Sequence, residues 1–150
     1  MTRTIHPVAG GVALLTIMSF WLSTAISELF AGAATVTTVK TLIPWGFIIL
    51  IPALAAVGGS GMRMGRKMRG PLIGAKKKRM PFIAANGILI LIPAALYLAA
   101  KARAGEFDTS FYTVQGLELV AGAANIALLG LNMRDGRRLR DQRRRRARDV

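Results

Sequence analysis

The chain has 150 residues, 53% of them hydrophobic, and yet carries a formal net charge of +14. A water-soluble domain of this length rarely combines the two properties, and the lack of cysteine excludes disulfides, iron–sulfur clusters and thiolate metal sites. The charges are also kept apart from the apolar residues, the pattern of a membrane protein.

Four windows nearly free of ionisable groups succeed one another at about 7–27, 41–61, 80–100 and 111–133, and only the fourth contains a charge, Glu118. A bilayer core of about 30 Å takes about 20 helical residues to cross, and a helix satisfies its own backbone in lipid. The predicted fold is therefore all-α: an integral-membrane four-helix up-down-up-down bundle over residues 1–136, followed by a basic tail at 137–150.

The first span opens on "TIHPVAGG", where His6 is the only histidine of the chain. His6, Ala9, Gly10, Ala13, Thr16 and Ile17 form a helical stripe with little side-chain bulk, the vacancy a flat macrocycle needs beside an axial ligand. Haem iron is held by His, with His or Met opposite. Met80 opens the third window and Met133 closes the fourth, so either can complete a haem b site with His6, as can the His6 of a second protomer. Arg79 and Arg134 suit the propionates. The plainer alternative is a helix-entry histidine with a wet polar tip and methionines as apolar filler, with no cofactor; a quinone or lipid contact is a third. Thr16, Ser19, Ser23 and Ser27 lie near one face of this span. "AGAAT" at 31–35 resembles a signal-peptide cleavage site, but the apolar stretch before it is long for a signal peptide.

The second window carries Pro44 and Pro52, and the third carries Pro93 seven residues after Asn86; prolines of this kind remove a backbone donor and bend the helix. "ILIPALAAV" and "LILIPAALYLAA" are alike enough to raise an inverted repeat, on a short and compositionally cheap match. In the fourth window Glu118, Asn125 and Asn132 are spaced by seven, close to two turns, and so share one stripe with Ala121 and Leu128. Polar groups are costly against lipid, so the stripe should face the bundle interior or another subunit. For Asn86, Asn125 and the serines the ordinary role is interhelical hydrogen bonding. Glu118 is different: an intramembrane carboxylate is a candidate functional group, paired with Lys40 or Lys101, or protonated. Small residues, among them Ala123 and Ala127, permit close helix approach and a homodimer.

All but three of the 21 basic residues lie before the first span, between the second and third, or after the fourth; the exceptions are Lys40, Lys101 and Arg103. The positive-inside rule then places both termini and the central loop in the cytoplasm. The tail "RRLRDQRRRRARD" reads as a topology determinant that meets anionic lipid headgroups at about 1 kcal/mol per basic residue. No aromatic is interleaved to stack on bases, so nucleic acid is not expected as a partner. Asp135, Asp141 and Asp149 sit among arginines and read as salt-bridged surface groups. No Ser-His-acid set occurs at helical spacing, and no catalytic residue is assigned.

"HPVAGG" at 6–11, "KRMPFIAANG" at 78–87 and "LNMRDG" at 131–136 resemble small four-span inner-membrane proteins of proteobacteria, a group with no assigned activity. The resemblance implies a bacterial inner membrane and transfers no site residue. Three functions follow as expectations: a b-type haem protein with His6 as axial ligand, for electron transfer or haem holding; an accessory or scaffold subunit of a larger membrane complex; and a small dimeric transporter using Glu118.

Overall fold

The computed structural model describes residues 2–65 and 71–146, all within helices and short turns. Five α-helices follow in chain order: α1 (Thr2–Phe30), α2 (Ala33–Gly65), α3 (Pro71–Asn86), α4 (Ile92–Ala104) and α5 (Thr109–Arg146). A π-helical turn, Gly87–Leu91, joins α3 to α4. Four stretches are long and apolar enough to cross a membrane: His6–Phe30, Ala33–Gly61, Lys78–Ala104 and Thr109–Arg140. Large apolar side chains such as Leu15, Phe30, Trp45, Ile48, Leu89 and Val120 point outward, where a bilayer would cover them. The protein is thus an all-helical, multi-pass membrane protein whose outer face contacts lipid.

The helices run past the apolar windows. Residues 33–40 precede the second window, yet the Thr37 and Thr38 hydroxyls donate to the carbonyls of Ala33 and Ala34 one turn back, and α2 begins there. Only Ala31 and Gly32 separate α1 from α2, and the Gly32 carbonyl accepts from the amides of Thr35 and Val36. α4 ends on Gly105 at φ 71°. Its amide donates to Ala102 and that of Glu106 to Lys101, the paired bonds of a Schellman motif that favours glycine at this left-handed position. Asp108 caps α5: its carboxylate accepts from the Phe111 amide at 2.9 Å.

Two apolar clusters hold the helices together. One contains Ala13, Ile17, Leu50, Ala53, Ile83 and Leu129, with Phe20, Phe47, Met80 and Ile126 packed on it. The other contains Val36, Leu98, Ala102 and Phe111. Between them lies a belt of buried polar side chains, including Thr24, Lys40, Gln115 and Asn125. Close approach is set locally by glycine. A Cβ at Gly46 would run into the Phe20 ring, and one at Gly122 would stand 3.0 Å from Trp21.

Candidate functional site

The polar belt is centred on an ion pair. Lys40 of α2 is 1% exposed, and its ammonium donates to Glu118 Oε2 of α5 at 2.6 Å and to Thr24 Oγ1 of α1 at 3.3 Å. Glu118 lies about 13 Å along α5 from Thr109 at 1.5 Å per residue, well inside the apolar stretch. Of the two lysines the sequence offers it, Lys40 is the partner. Lys101 instead holds Glu106 and Asp108 at 2.8 and 2.7 Å in the turn before α5. Lys40, counted from the sequence among the groups on the sparsely charged side, is therefore a core residue.

The stripe on α5 faces inward. Asn125 is 1% exposed, and Asn86 Nδ2 donates both to Asn125 Oδ1 and to the Ala121 carbonyl at 2.9 Å. Asn132 is buried and its Nδ2 donates to the Met80 thioether at 3.4 Å. The interhelical role expected of the asparagines is realised. It is not realised by Thr16 and Ser19, whose hydroxyls donate to the carbonyls of Val12 and Leu15 within α1. Ser27 is buried and bonds the Thr24 carbonyl of its own helix.

His6 is half-buried, with Nδ1 2.8 Å from Ser60 Oγ on α2. The Ser60 hydroxyl itself donates to the Ala56 carbonyl. Met80 packs against the first apolar cluster and Met133 is half-buried on α5. The side chains of Met62 and Met64, and residue Met68, lie outside the described residues. Among the described residues, no three His, Asp or Glu side chains gather as metal ligands would.

Asp135 differs from its sequence reading. It is salt-bridged, to Arg79 at 2.7 Å and to Arg134 at 3.7 Å, but it is 3% exposed rather than a surface group. It ties the start of the third span to α5. The side chains of Asp141 and Asp149 lie outside the described residues, as do Arg143–Arg146 and Arg148 of the tail and Arg66, Lys67, Arg69, Lys76 and Lys77 of the central basic loop.

Sequence reasoning did not single out Glu28 or Gln115. Glu28 Oε1, Thr41 Oγ1 and both amide atoms of Gln115 are buried with no hydrogen-bond partner among the described residues. A polar residue near a span end reads as interfacial; only the packing of the helices buries these atoms. Ala123 and Ala127 line an outward-facing groove with Met18, Trp21, Leu22 and Ile126. No family model, curated protein or solved structure matches this chain.

Proposed function

We propose that the protein is a small proton-coupled transporter of the bacterial inner membrane, with Glu118 as the coupling carboxylate. The observation that carries this reading is the Lys40–Glu118 pair, 2.6 Å apart and enclosed by three helices within the apolar stretch. Ionisable groups at this depth are expensive, and where they persist they mark proton or ion pathways. A pair used only as glue has apolar substitutes at no loss of stability. Asn125 and Asn132 continue the polar line along the same face of α5, with Asn86 of α3 bonded to Asn125, so a charge leaving Glu118 meets hydrogen-bonding groups rather than methyl groups. The spans run up-down-up-down, with both termini and the basic loop in the cytoplasm and anionic headgroups around the arginines. Two copies form the working unit.

Proteoliposomes with an entrapped pH dye test the proposal. An imposed membrane potential should drive proton entry faster in vesicles holding the wild type than in empty vesicles. Glu118→Gln should return the rate to that of empty vesicles while the protein stays monodisperse. Wild-type flux no faster than the empty-vesicle rate, or unchanged flux in Glu118→Gln, would remove the reading.

The contact between His6 and Ser60 favours a second reading. A hydroxyl bonded to Nδ1 is the kind of outer contact that orients an imidazole toward a metal. His6 would then be the axial ligand of haem b, with Met133, Met80 or the second copy's His6 opposite. Protein from haem-supplied cells should show a Soret band that His6→Ala abolishes; a colourless preparation ends this reading.

A further inference from the structure

The Lys40–Glu118 pair has a third charged neighbour, Glu28 of α1. Thr24, which accepts from the Lys40 ammonium at 3.3 Å, lies one turn before Glu28. Residues four apart share a helix face, with about 5–6 Å between their Cβ atoms. Glu28 is accordingly within electrostatic reach of both Lys40 and Glu118. An ammonium has three N–H bonds, and those to Glu118 and Thr24 use two, which leaves one for a further acceptor.

Glu28 differs from Glu118 in its access to water. It stands two residues before the end of α1 and is half-buried. Its Oε1 is buried without a hydrogen-bond partner among the described residues. Glu28 thus lies between the turn that joins α1 to α2 and the enclosed pair.

Counting charges shows what the three groups need. Two ionised carboxylates and one ammonium carry one excess negative charge, and an unbalanced charge in an apolar interior tends to be neutralised. Among the described residues α4, which packs on α2 and α5, supplies no counter-charge. Its buried face is Ala94, Ala95, Leu98 and Ala99. Its Lys101 is held by Glu106 and Asp108, and its Arg103 donates to the Ala99 carbonyl. One proton on either carboxylate makes the group neutral and leaves the other carboxylate to the ammonium. Lys40 is on Glu118 here, so the proton belongs on Glu28.

We propose that Glu28 and Glu118 hold one proton between them across the Lys40 ammonium, with Glu28 the residue that loads it from water. Lys40 gives a proton to Glu118 along the 2.6 Å bond and takes the proton of Glu28 in its place. An O–H bond breaks at Glu28 and another forms at Glu118. The ammonium is restored and turns to Glu28, and the group stays neutral. The loading role rests on the transport reading; the shared proton does not.

Infrared spectroscopy of the purified protein in detergent at neutral pH, with carbon-13 in the glutamate carboxyls, tests the shared proton. The glutamates are Glu28, Glu106 and Glu118, and Glu106 is 58% exposed beside Lys101. The wild type should show the carbonyl stretch of one protonated glutamate, identified by its isotope shift. Glu28→Gln should abolish it, because the Lys40–Glu118 pair is then neutral by itself. Glu118→Gln should abolish it too, because Lys40 turns to Glu28 and holds it ionised. Glu28→Asp should keep a protonated carboxyl, now without the isotope shift, and Glu106→Gln should match the wild type. No protonated glutamate in the wild type overturns the proposal. So does a band that survives Glu28→Gln, and so does one that survives Glu118→Gln in monodisperse protein, which would make Glu28 neutral through burial alone. In proteoliposomes Glu28→Gln should lower proton flux to the empty-vesicle rate; Glu118-dependent flux that persists in this variant would overturn the loading role. A shared proton in a wild type without flux would remove the transport reading and leave the shared proton standing.

Discussion

Lys40→Met strands a carboxylate in the bundle interior, and breaking one side of a buried pair costs about 3–5 kcal/mol. The double variant Lys40→Met/Glu118→Leu should recover most of that loss, measured by denaturant titration in detergent. Asp108 acts at the surface: Asp108→Ala removes the cap of α5 and should lower the unfolding midpoint. The Lys101 ammonium, then the Ser110 hydroxyl and the Phe111 amide, hold the Asp108 carboxyl below the usual carboxylate range. A depressed folded-state value contributes stability above the ordinary aspartate value of about 3.9 and loses it as the pH falls through the folded value. The gap between wild type and Asp108→Ala should therefore be full at neutral pH and close only in strong acid. At this scale the sequence was informative about what a residue costs and poor about whom it meets. Glu118 stood out as a charge in an apolar window. The sequence offered it two partners, Lys40 and Lys101, and the choice of Lys40 rests on a distance between helices that no spacing rule measures.

The helices themselves were legible, since hydropathy and length are enough to identify a span. Their starts were not: α2 reaches back over a polar stretch that composition assigns to a loop, with its threonine hydroxyls bonded one turn back. Nor was the π-helical turn. Pro93 predicted a bend, and what precedes it is a wider turn in which the Ile92 amide donates to the Gly87 carbonyl. The widened turn follows directly on Asn86, the residue paired with Asn125. Asn86→Ala should therefore loosen α3 against α5, and a double-mutant cycle with Asn125→Ala should return a coupling near the membrane average of about 0.6 kcal/mol. Packing of α1 on α2 makes a sharper demand. Gly46→Ala places a methyl into the Phe20 ring and should destabilise by about 1–3 kcal/mol. Gly58→Ala, in the same helix with nothing within 4 Å of the added carbon, should be neutral or mildly stabilising by thermal unfolding.

At the scale of the whole molecule, two apolar clusters enclose a charged belt, an arrangement that stability alone does not require. Segregation of the basic residues was readable from the sequence and gives the expected orientation: reporters fused at residue 1 and at residue 150 should both report the cytoplasm. The belt was only half readable, because its members come from α1, α2 and α5 and converge through tertiary register. Charge exchange separates a structural belt from a working one. Lys40→Glu combined with Glu118→Lys keeps an ion pair between the same two helices, so its unfolding transition should stay near that of the wild type. Proton flux into proteoliposomes is the decisive measurement on this variant. A coupling carboxylate fixed to α5 requires the flux to fall to the empty-vesicle rate. Wild-type flux in the exchanged protein would show that the pair merely holds helices together and would contradict the assignment of Glu118.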